Sequence, residues 1–377
     1  MYIKRVLTEE IIKKLKKTNK GIIIFGPRQV GKTTLVNEII KKTGFKTLII
    51  NGDQISSFDI FKNRNLSQIK PLVSSYQMLF VDEAQRIPEI GINLKIVLDN
   101  IKNIKVIVTG SSSLDLASKI TEPLTGRVFS YHLFPISFLE RSKIFTSVEL
   151  IEQLEQSLIF GAYPEIFSLT TFEEKIEFLK NLSDGYLYKD LLEFGNIKNS
   201  YKIRDLLKLL AFQVGSLVSL SELGAQLSLS KETVRHYIDL LEKSFVIFRL
   251  SGLSRNLRKE ISKMDKIYFY DLGVRNAIID NFKLLKDRND VGKFWENFLI
   301  IERIKRNHYK KIYFSKYFWR LHSGEEIDYI EEREGKLFAF EFKWKEKYLR
   351  KPLTLFKTYN QAEYKLITKE DFLEFIL

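Results

Sequence analysis

"GIIIFGPRQVGKTTLVNEIIKK", residues 21–42, is the stretch on which the fold turns. Ile22 to Phe25 is a short continuous apolar run, as in a strand buried on both faces. A glycine-rich turn follows, then a helical spacing with Leu35, Ile39 and Ile40 on one side. Gly26, Gly31, Lys32 and Thr33 match G-x-x-x-x-G-K-[ST] in the strand–loop–helix setting that the pattern requires. Such glycines let the loop curl until backbone N–H groups point at phosphate oxygens, and the helix N-terminus adds partial positive charge. The expected nucleotide cradle is therefore Gly26, Pro27, Arg28, Gln29, Val30, Gly31, Lys32, Thr33 and Thr34. Lys32 would reach the β- and γ-phosphates of ATP, and the Thr33 hydroxyl would ligate Mg²⁺.

A phosphate loop of this kind predicts a second strand that ends in acid. "QMLFVDEAQ" supplies it: Met78 to Val81 is apolar throughout, Asp82 is placed to hold hydrated Mg²⁺, and Glu83 to polarise an attacking water. A third strand, "KVIVTGSSS", ends in Thr109, Ser111 and Ser112, whose hydroxyls would sense the γ-phosphate or simply form a turn. Ser111 is the nominated nucleotide contact. With "TLIINGD", these strands alternate with helical stretches, which predicts an α/β fold of the P-loop NTPase kind: a parallel sheet with helices on both faces.

The chain has 377 residues, room for two or three domains, with the 45% hydrophobic and 29% charged content of an ordinary globular protein. No apolar stretch is long enough to span a bilayer, and the start, "MYIKRVLTEEIIKKLKK", lacks the apolar core of a secretory signal. Zero cysteines exclude disulfides, thiolate catalysis and cysteine-held zinc, and fit a cytoplasmic protein. His132, His236, His308 and His322 have no zinc spacing, and no G-x-S-x-G serine elbow occurs. A net charge of +14 gives a positive potential that attracts a polyanion such as DNA.

The stretches "GPRQVGKTTL", "LFVDEAQRIPE", "TGSSS", "LTGRVFSYHLFPISFLE", "GAYPE" and "YLYKDLL" together resemble the AAA-type ATPases of the additional-strand, catalytic-glutamate class. More narrowly, the chain is similar to archaeal and bacterial ATPases that carry a C-terminal domain of uncharacterised function, and the likeness runs nearly its whole length. The resemblance implies an AAA-type core over residues 1–142. It also implies that Arg127, of "LTGR", neutralises charge at the γ-phosphate, within its own chain or on a neighbour in a homo-oligomer.

Residues 143–255 read as helical, with "ELIEQLEQSLIF" and "TFEEKIEFLKNLSDGYLYKDLLEF" apolar at three- and four-residue spacing. "SLVSLSELGAQLSLSKETVRHYIDLLEKSFVIFRL" gives helix, turn, helix and strand, a winged-helix outline cored by Leu223, Leu227, Val234, Ile238 and Leu241. Ser230 caps the second helix, and in a DNA-reading version Lys231, Thr233, Arg235 and His236 would face the groove.

Residues 256–377 contain "GEEIDYIEEREGKLFAFEFKW", a hairpin with charges among its apolar residues. Alternation puts Phe338, Phe340, Phe342 and Trp344 on one face, Glu341 and Lys343 on the other, and Asp328 opposite Ile327 and Tyr329. Asp328, Glu341, an upstream Glu296 and Lys343 are the groups a metal-dependent phosphodiester site uses: carboxylates for Mg²⁺ and a lysine for the attacking water. This resembles the restriction-endonuclease-like fold and its PD-(D/E)-x-K motif, with Ile327 where that name writes Pro. The reading as a whole is a Mg-dependent ATPase acting on or near DNA. The alternative is an ATP-controlled switch or scaffold that holds a protein partner and keeps a vestigial nuclease-like domain.

Overall fold

The computed structural model describes residues 2–54, 61, 64–110, 122–187, 200–254, 264–321, 325–345, 359 and 362–377. Five strands make the first sheet: β1 (Gly21–Phe25), β2 (Thr47–Asn51), β3 (Met78–Asp82), β4 (Lys105–Gly110) and β5 (Val128–His132). All are parallel, in the order β2-β3-β4-β1-β5. Every residue of β1 and β3 is buried, which is why both read as unbroken apolar runs. Alternate residues feed opposite cores. Ile22 and Ile24 pack under helices α1 (Leu7–Lys17) and α2 (Lys32–Thr43). Ile23 and Phe25 pack under the helices Leu66–Val73 and Ile90–Asn100. Each such side chain contributes about 1.5–3 kcal/mol of burial. The sheet with helices on both faces is as expected. β4 intervenes between β1 and β3, so the phosphate loop and the acidic strand end lie two strands apart, about 10 Å.

The second sheet has seven strands in the order β12-β11-β10-β9-β7-β8-β6: β6 (Leu217–Val218), β7 (Ile247–Gly252), β8 (Asp265–Phe269), β9 (Ser315–Arg320), β10 (Glu326–Arg333), β11 (Lys336–Phe342) and β12 (Glu363–Ile367). Helix Ser200–Phe212, β6, helices Leu220–Leu227 and Lys231–Lys243, and then β7 and β8 follow one another, with β8 antiparallel to both β6 and β7. The long helix Val291–Tyr309 precedes an antiparallel meander β9-β10-β11, and β12 returns parallel to β11. β7 also lies parallel to β9, with Ser251 opposite Tyr317, so one sheet and one apolar core run across residue 255. The buried Arg303 of the long helix is fixed to the sheet by Glu331 of β10, at 2.9 and 3.2 Å.

β10 departs from strict alternation. Ile327 opposes Trp319 and Ile330 opposes Tyr317, so Asp328 and Tyr329 share the single partner position of Phe318. Ile327 therefore packs in a small cluster with Trp319, while Tyr329 enters the main core. The expectation that Ile327 and Tyr329 share a face is corrected by this bulge, which re-aims Asp328. Helix Phe172–Asn181 ends in a π-turn over Leu182–Leu187, and the remainder of "YLYKDLLEF" lies outside the described residues.

Candidate functional site

Gly26 has φ 156°, and a Cβ there would sit 2.3 Å from the Leu133 carbonyl oxygen; Gly31 has φ 92°, in the left-handed region. These two positions close the loop onto the start of α2. The buried Lys32 donates from Nζ to the carbonyls of Gly26 and Pro27, both at 2.9 Å, which holds the amine inside the curl. Arg5, ahead of α1, donates to Val30 O at 2.9 Å and to Glu140 at 2.9 Å, bracing the loop from behind. Thr33 and Thr34 remain exposed toward a cavity of about 490 Å³.

The acidic strand end meets the loop across β4. Thr33 Oγ1 donates to Asp82 Oδ2 at 2.8 Å, Thr109 Oγ1 donates to Asp82 Oδ1, and the Glu83 N–H reaches the same oxygen at 3.2 Å. Glu83 is itself left-handed, φ 47°, and its Oε2 accepts from Gln85 Nε2 at 2.6 Å. A non-glycine residue held there stores about 1–3 kcal/mol of strain, and such strain concentrates at working sites. Oxygen donors from Thr33 and Asp82 side by side suit a hard cation such as Mg²⁺. Ser111 and Ser112 lie outside the described residues. Thr109 is the hydroxyl of that strand that touches the acid.

The opposite wall of the cavity comes from downstream sequence: Pro164, Glu165 and Phe178 face Lys32, Thr33 and Glu83. That wall is clamped by Asp271, a buried carboxylate two residues after β8. Its Oδ2 accepts from Ala162 N at 2.7 Å, and its Oδ1 accepts from Val274 N at 3.1 Å, capping helix Leu272–Ile278. Gly161, φ 70°, leaves the space the carboxylate occupies; a Cβ there would lie 2.0 Å from Asp271 Oδ1. Burial raises the Asp271 pKa. "GAYPE" carries only a family resemblance in the sequence, and neither it nor "FYDLGV", which holds Asp271, has an expected place at the nucleotide pocket. The signal in both was a glycine beside an apolar run.

Arg127 is not brought to the loop. Its carbonyl accepts from Gly21 N at 2.9 Å, so it sits at the start of β1, about 13 Å along the strand from the end that carries the loop. Its guanidinium is exposed and bound to Asp99 at 2.7 and 3.1 Å. The expected γ-phosphate role within its own chain is corrected by that placement.

In the second sheet the structure does bring Glu296, Asp328, Glu341 and Lys343 into one charged cluster, and adds Lys266, Tyr268, Lys293 and Glu326. Glu296 accepts from Lys266 at 3.3 Å, Tyr268 OH at 2.5 Å and Lys293 at 3.0 Å. Glu341 pairs with Lys343 at 2.7 Å, and Asp328 Oδ2 accepts from Phe342 N at 2.9 Å. Burial, with Glu296 and Glu341 nearby, pushes the Asp328 carboxyl up to about 8. Each acid is thus matched by an amine or amide or holds its proton. Among the described residues no group of three or more His, Asp or Glu is placed to hold a metal ion. The expected metal site at Asp328, Glu341 and Glu296 does not fit this arrangement.

At the second helix of the middle region, Ser230 Oγ accepts from Thr233 N at 3.1 Å as the N-cap, and Lys231, Arg235 and His236 are exposed. Val234, Ile238 and Leu241 face the core with Leu223 and Leu227, as expected. No described helix is long and apolar enough to cross a membrane.

Residues 18–142 match the family of AAA domains. Residues 151–285 and 291–372 match two domains of unknown function, DUF8612 and DUF4143. An uncharacterized protein of Methanocaldococcus jannaschii, MJ1544, is 26% identical over 89% of this chain and 81% of its own. A second from that organism, MJ1637, is 24% identical over 78% of this chain and 69% of its own. Among solved structures, a Walker-type ATPase of Pyrococcus abyssi superposes with TM-score 0.52 at 16% identity, over 72% of this chain and 94% of that one. Residues 18–142 form an AAA-type P-loop ATPase domain.

Proposed function

We propose that the chain binds and hydrolyses Mg-ATP at the loop around Lys32, and uses nucleotide occupancy to shift its second sheet while that part engages DNA. The observation that carries this reading is Asp82, bridged at once to Thr33 of the loop and Thr109 of the inserted strand. In it the loop N–H groups and Lys32 bind the phosphates, Glu83 takes a proton from the attacking water, and Thr33 and Asp82 hold Mg²⁺, which neutralises phosphate charge. The clamped wall of Pro164 and Glu165 makes occupancy felt by the strand that carries Lys266 and Tyr268. DNA engagement is supported by the net charge of +14 and by the exposed Lys231, Arg235 and His236 on the second helix of a winged-helix arrangement.

The helix, meander and returning parallel strand also support a restriction-endonuclease-like fold for the end of the chain. The pairing of its acids with amines favours a second reading: this part binds without cutting, and ATP controls its hold on a protein partner. Titration calorimetry of the magnesium-loaded protein with ATP tests the first step; no heat from wild-type protein would end the proposal. A gel shift with duplex DNA separates the two readings, since phosphate contacts lose affinity steeply between about 50 and 200 mM salt. Incubation of DNA with Mg²⁺, using Glu341→Ala as the control, decides whether any cutting remains.

A further inference from the structure

A cavity of about 810 Å³ lies apart from the nucleotide pocket. It lies where the outer edge of β5, the last strand of the first sheet, faces the segment 311–317 leading into β9. Its back wall is a stacked pair, His132 and His308, with ring centres 5.6 Å apart. Burial and the neighbouring His308 bring the His132 pKa down to about 4, so the pair adds no charge at neutral pH. The side walls combine aromatic rings and cations. Lys14 lies over the Phe129 ring at 4.3 Å and so covers it. Across the opening, Tyr313 at the rim is 91% exposed, so its ring is open to a ligand. The acid of the cleft, Glu10, is already paired with Lys311 at 2.7 Å, which leaves the lining positive.

We infer that this cleft binds single-stranded nucleic acid, with a base stacked on Tyr313 and a phosphate met by Lys14. Ring faces accept any unpaired base, whereas the bases of a duplex are closed to them, and lysines beside rings supply the phosphate contacts. The volume is that of a small-ligand site, enough for a short run of nucleotides rather than a folded domain. An acidic peptide would match the charge but has no base for the open Tyr313 ring. The inference does not rest on duplex binding by the helix Lys231–Lys243.

Fluorescence anisotropy of the full chain with a labelled oligothymidine of about twelve nucleotides, at 50 and 200 mM salt, tests it. Wild-type protein should bind with salt-sensitive affinity. Tyr313→Ala should weaken binding about 5- to 100-fold, while Tyr313→Trp keeps it. Lys14→Ala should lower the salt slope by roughly one. The double variant Lys231→Ala, Arg235→Ala should leave oligothymidine binding intact; its effect on duplex DNA reports on the proposed function separately. No binding by wild-type protein, equal binding by Tyr313→Ala, or stronger occupancy by a polyglutamate peptide overturns the inference.

Discussion

The end of the first sheet and the charged cluster of the second use the same residue types and differ in what answers the charge. At the loop, Asp82 is met by hydroxyls and an N–H, and Glu83 by the neutral amide of Gln85. In the second sheet, Glu296 and Glu341 are met by lysines, and Asp328 is held with its proton. Neutral partners leave net charge available for a ligand; charged partners consume it. A buried ion pair is poor support for stability because desolvation offsets the attraction, yet breaking one partner away is costly. The first site is therefore arranged to receive phosphate and cation, while the second holds itself together.

That contrast breaks most sharply at Lys32. Lys32→Ala should abolish measurable ATP binding by calorimetry, whereas Lys343→Ala should leave it intact; similar losses in both would erase the distinction. Next in size, Glu83→Gln should bind ATP normally but lower turnover about 10²- to 10⁴-fold, as expected for loss of a general base. Full turnover in that variant would mean that another group accepts the proton. Asp271→Ala leaves the N–H groups of Ala162 and Val274 without their acceptor, and should cost about 2–4 kcal/mol in urea denaturation. It should also raise KM for ATP more than it lowers kcat, because the wall at Pro164 loosens while Glu83 stays in place.

The second site is sharpened by pH. Folded Asp328 keeps its proton up to about 8, while in the unfolded chain it is lost near 4. Between those values the folded state binds the extra proton, so stability falls as pH rises through the window. Asp328→Asn should flatten that slope and exceed the wild type in urea midpoint at pH 9; a wild-type midpoint independent of pH from 5 to 9 would contradict the burial argument. The smallest effect is expected at Arg127. Arg127→Ala should change single-chain turnover less than about twofold, since its exposed, solvent-screened pair with Asp99 stands at the end of the sheet away from the loop.

The loop was legible because its chemistry is local. Gly26, Gly31, Lys32 and Thr33 lie within eight residues, and their spacing specifies both the curl and the groups that line it. Asp82 and Glu83 were legible because a strand buried on both faces announces its own end. Asp328, Glu341 and Lys343 were legible as neighbours, since strand alternation is a short-range rule. Their surroundings were not: Lys266 and Tyr268 reach them from another strand, and a bulge moves Asp328 off the alternating pattern.

The sequence by itself determined four strands of the first sheet, their parallel arrangement and the identity of the phosphate loop, because periodicity and motif spacing are short-range signals. Tertiary structure alone decided that Asp271 clamps a turn 109 residues away, that Arg127 stands at the far end of its sheet, and that the acids of the second sheet meet lysines. Such contacts depend on how whole elements pack. Nothing in the local spacing of the chain encodes which surfaces will meet.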